Sequence, residues 1–174
     1  MSTVLKVFGP FSVGCEKKPI GSAKQVGKEH IKDFWNTEIT RSYAAKQGCY
    51  VFAMKAGRGY TPWYVGKATK SFKQECFSGQ NLGRYNKVLF KGQRGNPVIF
   101  LVAPSEKGKN KVKEQVINDM EKFLIQTARY ANPEITEIQI HHTKLPQWSI
   151  KGVVRGGVGK RDATTKAFVK MMGF

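Results

Sequence analysis

Residues 48 to 66 leave this chain few options. Two short apolar runs, Cys49 to Met54 and Trp63 to Val65, flank a linker from Lys55 to Pro62 that holds Gly57, Gly59 and Pro62. Apolar runs of strand length separated by turn-forming residues predict a β-hairpin, here with a wide turn.

The hairpin and its exit are strongly basic. Between Gly48 and Gly92, eight Lys or Arg residues face one acid, Glu75. A phenol can donate, accept or, when deprotonated, act as a base, and ammonium groups beside it attract phosphate and lower its pKa. Tyrosines among lysines are therefore suited to a phosphodiester. The whole chain of 174 residues carries a formal charge of +18. A field of that sign draws polyanions, of which nucleic acid is the commonest. The bland alternative is a ribosome-associated or merely soluble basic protein. With 40% hydrophobic and 11% aromatic residues, the composition is that of a folded protein rather than a basic tail. The length suits a single domain, 1 to 174, burying roughly 70% of its unfolded surface.

A third strand is expected from Pro97 to Val102, where Val98 to Val102 is apolar without interruption between Gly95-Asn96-Pro97 and Pro104-Ser105. Continuous hydrophobicity implies burial on both faces, so this should be the central strand. Val4 to Val13 alternates weakly and reads as a possible strand of unassigned role. Ile31, Phe34, Trp35, Ile39, Tyr43 and Ala44 recur at helical spacing, as a helix or helical pair supporting the hairpin. Ser71 is placed to cap a short helix containing Phe72, Cys76 and Phe77. Val112, Val116, Ile117, Met120, Phe123, Leu124, Thr127, Ala128 and Ala131 follow a helical period that Pro133 ends at Asn132. Beyond it, Ile135, Ile138 and Ile140 line a strand or irregular segment.

Residues 143 to 174 form a basic C-terminal extension in which seven Lys or Arg residues face Asp162 alone. Arg155, Lys160 and Arg161 lie in its glycine-rich part, and Asp162 is positioned to cap a last helix with Ala163, Ala167, Phe168 and Met171 on one side. The extension reads either as a nucleic-acid-gripping arm or as a docked helix beside a solvated loop. Cys15, Cys49 and Cys76 are too few and too scattered for a disulfide framework or a zinc site. His141-His142 would point to opposite faces of a strand, which argues against a shared ion. With no signal peptide or membrane span in view, an intracellular location, cytoplasmic or nucleoid-associated, is expected.

The pair Gly48-Cys49-Tyr50 and Tyr64-Val65-Gly66 resembles the paired signature of the GIY-YIG nuclease superfamily. Downstream, Glu121 sits on a helix before Leu124-Ile125, and Asn132 follows near the helix end, in the order that superfamily uses. The resemblance covers residues 48 to 133. It implies an α/β (α+β) fold with a small, mainly antiparallel three-stranded sheet flanked by helices, with N- and C-terminal extensions. It also implies Mg²⁺ (or Mn²⁺)-dependent hydrolysis of DNA, or of RNA in its place, with no other cofactor. Tyr50 would be the base, Tyr64 would orient water or phosphate, Glu121 would hold the metal and Asn132 would help fix the site.

The chain departs from the pattern where the superfamily places a phosphate-binding Arg. Gln74 and Glu75 stand there, and neither can neutralise a developing negative charge. Either Lys67, Lys73 or Arg84 takes over, or the protein binds without cleaving. Arg84 is preferred, since guanidinium grips phosphate through two parallel hydrogen bonds, although an ordinary surface Arg reads the same. Glu121 also has two readings. Its neighbours one turn away, Ile117, Asn118, Leu124 and Ile125, include no cation to pair with it. It either holds a metal or sits at the stripe's edge and reaches water. The expected nucleic-acid contacts are Arg58, Lys67, Lys70, Lys73, Arg84, Arg155, Lys160 and Arg161. Oligomeric state is not legible.

Overall fold

Residues 48 to 68 do pair as an antiparallel hairpin. In the computed structural model, residues 4–19, 23–105, 111–142 and 162–172 are described. The strands in chain order are β1 (Leu5–Ser12), β2 (Glu16–Lys17), β3 (Lys24–Gln25), β4 (Gly48–Ala56), β5 (Gly59–Ala68) and β6 (Asn96–Pro104). The helices are α1 (Lys28–Asn36), α2 (Glu38–Arg41), α3 (Phe72–Glu75), α4 (Gly79–Phe90), α5 (Glu114–Ala131) and α6 (Ala163–Met172). The chain divides into two compact units, Met1–Thr143 and Lys144–Phe174. Among the described residues, no helix is long and apolar enough to cross a membrane.

The hairpin turn is tight, not wide. Only Gly57 and Arg58 lie outside β4 and β5, and Gly57 has φ +56, the left-handed region glycine enters without steric cost. Most of the expected linker is therefore ladder, with Lys55 opposite Tyr60 and Met54 opposite Thr61. The register shifts after Phe52, which pairs with Tyr64 while Ala53 pairs with Pro62. Trp63 is thus the extra residue of a bulge. Pro62 is tolerated because β5 is an edge strand.

The main sheet has four strands, in the order β1-β6-β4-β5, rather than three. β1 pairs antiparallel with β6 from Leu5 opposite Pro104 to Ser12 opposite Val98, with a break between Phe8 and Phe11. Its weak alternation follows from its edge position: Val4 and Val7 face outward and are exposed. β6 is an interior strand as expected, with Val98, Ile99 and Leu101 buried between β1 and β4. β2 and β3 form a separate two-stranded sheet.

Alternation along β4 and β5 sends side chains to opposite faces. Tyr50, Phe52, Met54 and Tyr64 enter the larger core with Phe34, Trp35, Phe72, Phe77, Tyr85 and Leu89. There, Phe52 and Tyr85 stack with ring centroids 4.3 Å apart. Val51 and Val65 face the other way, against Leu124, Ile125, Ala128 and Ile135.

The 26–46 region is a helical pair, but Ile39 is exposed, because α2 presents Thr40 to the interior instead. Ser71 caps α3 as expected, its hydroxyl accepting the Gln74 N–H at 3.3 Å. Residues 81 to 86 are helical, so Arg84 projects from α4. α5 ends where Pro133 requires, but Phe123 lies outside its buried stripe and is exposed. Pro133–Glu137 form a 3-10 turn that buries Ile135, while Ile140 beyond it is exposed. In the second unit, Asp162 Oδ1 accepts the Thr165 N–H at 2.7 Å at the start of α6. Its buried residue is Val169, whereas Phe168 and Met171 from the expected apolar face are exposed. Arg155, Lys160 and Arg161 lie outside the described residues.

Candidate functional site

Tyr50 lies opposite Gly66 in the hairpin ladder. A Cβ on Gly66 would overlap the Tyr50 ring, so the glycine makes room for the phenol to lie flat across β5. Tyr50 is 1% exposed. Its hydroxyl accepts from Asn81 Nδ2 at 2.7 Å and reaches the Glu75 carbonyl at 3.4 Å. Tyr64, its neighbour with ring centroids 6.4 Å apart, accepts a hydrogen bond from Arg84 Nη1 at 2.8 Å. The same Nη1 donates to Asn81 Oδ1 at 2.9 Å, and the guanidinium carbon stands 5.0 Å from the Tyr64 ring centroid. Asn81, itself buried, is the node joining both tyrosines and the arginine.

Burial works against the chemistry expected of Tyr50. Removal from water pushes its phenol far above the ordinary range, and the Glu75 and Glu121 charges push the same way by less. No lysine lowers it. A buried phenol fastened by Asn81 is a structural donor and acceptor rather than a base at neutral pH. Burial also raises Tyr64; the Arg84 charge opposes this without cancelling it.

These shifts dictate an alkaline response. Tyr50, Tyr64 and Tyr85 all have folded-state pKa values raised by burial. The stability they contribute is complete below the unfolded phenol value and is lost as pH rises above it. Each should cost about 1.4 kcal/mol per pH unit above pH ~10. Absorbance at 295 nm should therefore show these phenols ionising together with loss of the far-UV circular dichroism. Ionisation of the buried set while the fold persists would contradict this.

The other face of β5 carries a second cluster. Lys67 Nζ lies 3.2 Å from Glu121 Oε2 and donates to Asn118 Oδ1 at 2.9 Å. Glu121 therefore has a cation after all, supplied by the sheet rather than by its own helix. Its side chain is 13% exposed, so it reaches water only in part and is paired with Lys67 as well. Around the pair is a cavity of about 260 Å³, lined by Lys67, Gln115, Asn118, Glu121, Lys122 and His142.

The two clusters share one edge strand. Tyr64 and Gly66 face α4, while Val65 and Lys67 face α5. The Glu121 charge nevertheless reaches both phenols, adding to the upward push on each. Tyr50, Tyr64, Lys67, Arg84 and Glu121 are thus brought to one end of the hairpin but split across its edge.

Asn132 serves a different purpose from the others. Its Nδ2 donates to the Pro62 carbonyl at 2.8 Å and its Oδ1 accepts the Glu134 N–H at 3.1 Å, tying the end of α5 to β5. Lys70 and Lys73 are exposed near Lys67 in the chain, just beyond the same end of the hairpin. Arg58 is at the opposite end, in the turn, and belongs to neither cluster. Where the superfamily Arg was expected, Gln74 belongs to the α3 cap and Glu75 accepts the Lys70 N–H, closing the loop before α3.

Asn81, Asn118 and His142 were not anticipated. Asparagines carry no charge signal, and only Asn81's proximity to Arg84 on one helix turn hinted at its part. His141 and His142 do not lie on a strand, and His142 has φ +56.

Among the described residues, no three His, Cys, Asp or Glu side chains gather to hold a metal. The donors that do converge are oxygens: Glu121 and Asn118 approach closely enough for one ammonium nitrogen to touch both. A hard, hydrated cation that needs one carboxylate and keeps most of its waters fits such a pair. No family model, curated protein or solved structure matches this chain.

Proposed function

We propose that this chain is a Mg²⁺- or Mn²⁺-dependent endonuclease that hydrolyses DNA phosphodiester bonds on a GIY-YIG-like scaffold, inside the cell. The observation that carries the reading is the seat of Arg84. From a helix position the superfamily pattern does not use, its guanidinium reaches the phenol of the second-motif tyrosine. Arg84 supplies the charge that Gln74 and Glu75 cannot.

The chain's own groups divide the work by position. Among the described residues, only Nη1 of Arg84 is engaged, with Tyr64 and Asn81, which leaves its other N–H groups for phosphate oxygens. Tyr64 orients Arg84 and, through the same hydroxyl, the reacting phosphate. Tyr50 holds Asn81 and so fixes the guanidinium at one remove. Glu121 and Asn118 would hold the cation, with Lys67 beside them to meet phosphoryl charge. A bound divalent cation supplies polarisation of the phosphate and a lowered pKa for attacking water. Lys70 and Lys73 extend the basic surface, and the overall charge of +18 supplies long-range attraction.

Supercoiled plasmid with Mg²⁺ or Mn²⁺ tests the reading. The parent protein should nick it, and Arg84→Ala should lower the rate about a hundredfold or more, the usual cost of losing a donor to developing charge. Arg84→Lys should recover little, because an ammonium cannot bond Tyr64, Asn81 and phosphate in one plane. Absence of nicking by the parent with any divalent cation would sink the enzyme.

A second reading, a nucleic-acid-binding protein that keeps the scaffold without cleaving, draws on the pairing of Glu121 with Lys67 and the loss of Tyr50 as a base. It predicts salt-sensitive binding, with log affinity falling by about 0.9 per phosphate contact per decade of salt, and no nicking.

A further inference from the structure

The Glu121 carboxylate is largely shielded from water. Its partner is unusual for a structural ion pair. Lys67 Nζ touches Glu121 Oε2 and Asn118 Oδ1 at once, the two oxygens that would receive a divalent cation. The lysine is the more exposed member, 39% against 13%, and stands at a cavity of about 260 Å³ with room for its ammonium to move. A four-carbon stem permits that movement at little cost, whereas Glu121 is fixed on α5.

We infer that Lys67 is a resident counter-ion for Glu121 and Asn118, which a divalent cation displaces, so that cation entry and release of the ammonium toward phosphate are one coupled event. This rests on the cation-binding reading above. An ammonium and a dication cannot share one carboxylate closely without strong mutual repulsion, while the lysine preserves the pairing of a shielded acid when no cation is bound. Lys122 on the cavity rim adds positive charge and raises the barrier to retaining both. The arrangement would also keep the site from taking cations indiscriminately, since any entrant must outcompete a tethered charge.

Mn²⁺ binding to the full chain without nucleic acid, followed by the electron paramagnetic resonance signal of free Mn²⁺, tests this directly. Lys67→Met should bind Mn²⁺ about tenfold more tightly than the parent. Lys67→Arg, which keeps the charge, should stay near the parent, and Glu121→Gln should lose the site. Melting curves of each variant confirm that it is folded. Parent-like or weaker binding by folded Lys67→Met, with the Glu121-dependent site present in the parent, overturns the counter-ion role and leaves the nuclease reading standing. Binding that ignores Glu121→Gln, or no binding by either parent or Lys67→Met at millimolar Mn²⁺, overturns both.

Discussion

Glu121→Gln should lower plasmid nicking by about a hundred- to a thousandfold while leaving the melting temperature almost where it was. The two side chains have the same shape, so α5 keeps its packing against Val65 and Val51. On the proposed nuclease reading, what is lost is a charge able to hold a divalent cation, and several kcal/mol of transition-state stabilisation go with it, each 1.36 kcal/mol being about a factor of ten. The stability change should stay within about 1 kcal/mol, since Lys67 is partly solvated and still has Asn118 to bond. Nicking rates and thermal melts on the same preparations separate the two effects. A variant that cleaves at the parental rate would remove Glu121 from the mechanism; one that fails to fold would make it a structural acid.

Gly66→Ala should be among the most destabilising single-methyl additions in the chain, costing about 3 kcal/mol or more. The added Cβ would fall within the Tyr50 ring, and that ring has nowhere to go: it is buried, its hydroxyl is held by Asn81, and Phe72 packs edge-on beside it. Because the obstacle is one side chain, the penalty should shrink when Tyr50 is shortened. Gly66→Ala measured in a Tyr50→Leu background should cost at least about 1 kcal/mol less than in the parent, the coupling expected of residues in contact. Gly48→Ala offers the contrast, since there the obstruction is the backbone carbonyl of Val102 across the β4–β6 ladder, at φ +151. No side-chain truncation can relieve that one. Urea unfolding of the parent, Gly66→Ala, Tyr50→Leu, their double variant and Gly48→Ala reads the difference. Additive penalties for Gly66→Ala and Tyr50→Leu would show that the ring is not what excludes the methyl.

The parts of this fold that local sequence displays are those set by local physics. The apolar run at Val98 to Val102 implies burial on both sides because no residue in it could face water, and β6 is indeed an interior strand. The end of α5 is legible because Pro133 disfavours helix at Asn132 whatever surrounds it. Ser71 and Asp162 cap as their short oxygens permit. β1 is less legible, since an edge strand is selected by its neighbour's unpaired backbone and needs no strong pattern of its own.

The site was legible in its residue types and not in its connections. Lys67 and Asn118 are 51 residues apart, so a search along α5 for a cation near Glu121 finds nothing while the sheet supplies one. Tyr50 and its lysines share a segment, which invites the inference that they share a field. The pleat decides otherwise, turning the phenol to the core face and Lys67 to the α5 face. Arg84 was identified by charge, but its orientation depends on an uncharged amide, Asn81, whose role appears only when α4 is docked.

One feature of α5 reaches beyond either cluster. The helix is pinned to β5 twice, by Asn118 and Glu121 to Lys67 near its middle and by Asn132 to Pro62 at its end. Two pins on one cylinder lock its rotational phase. A single residue inserted between them would turn one pin by about 100° relative to the other, whereas four inserted residues would nearly restore the phase but carry the Asn132 amide about 6 Å along the axis, away from the Pro62 carbonyl. The spacing between Glu121 and Asn132 is therefore set in angle and in length at once, and any insertion should part either the acid from Lys67 or the amide from Pro62.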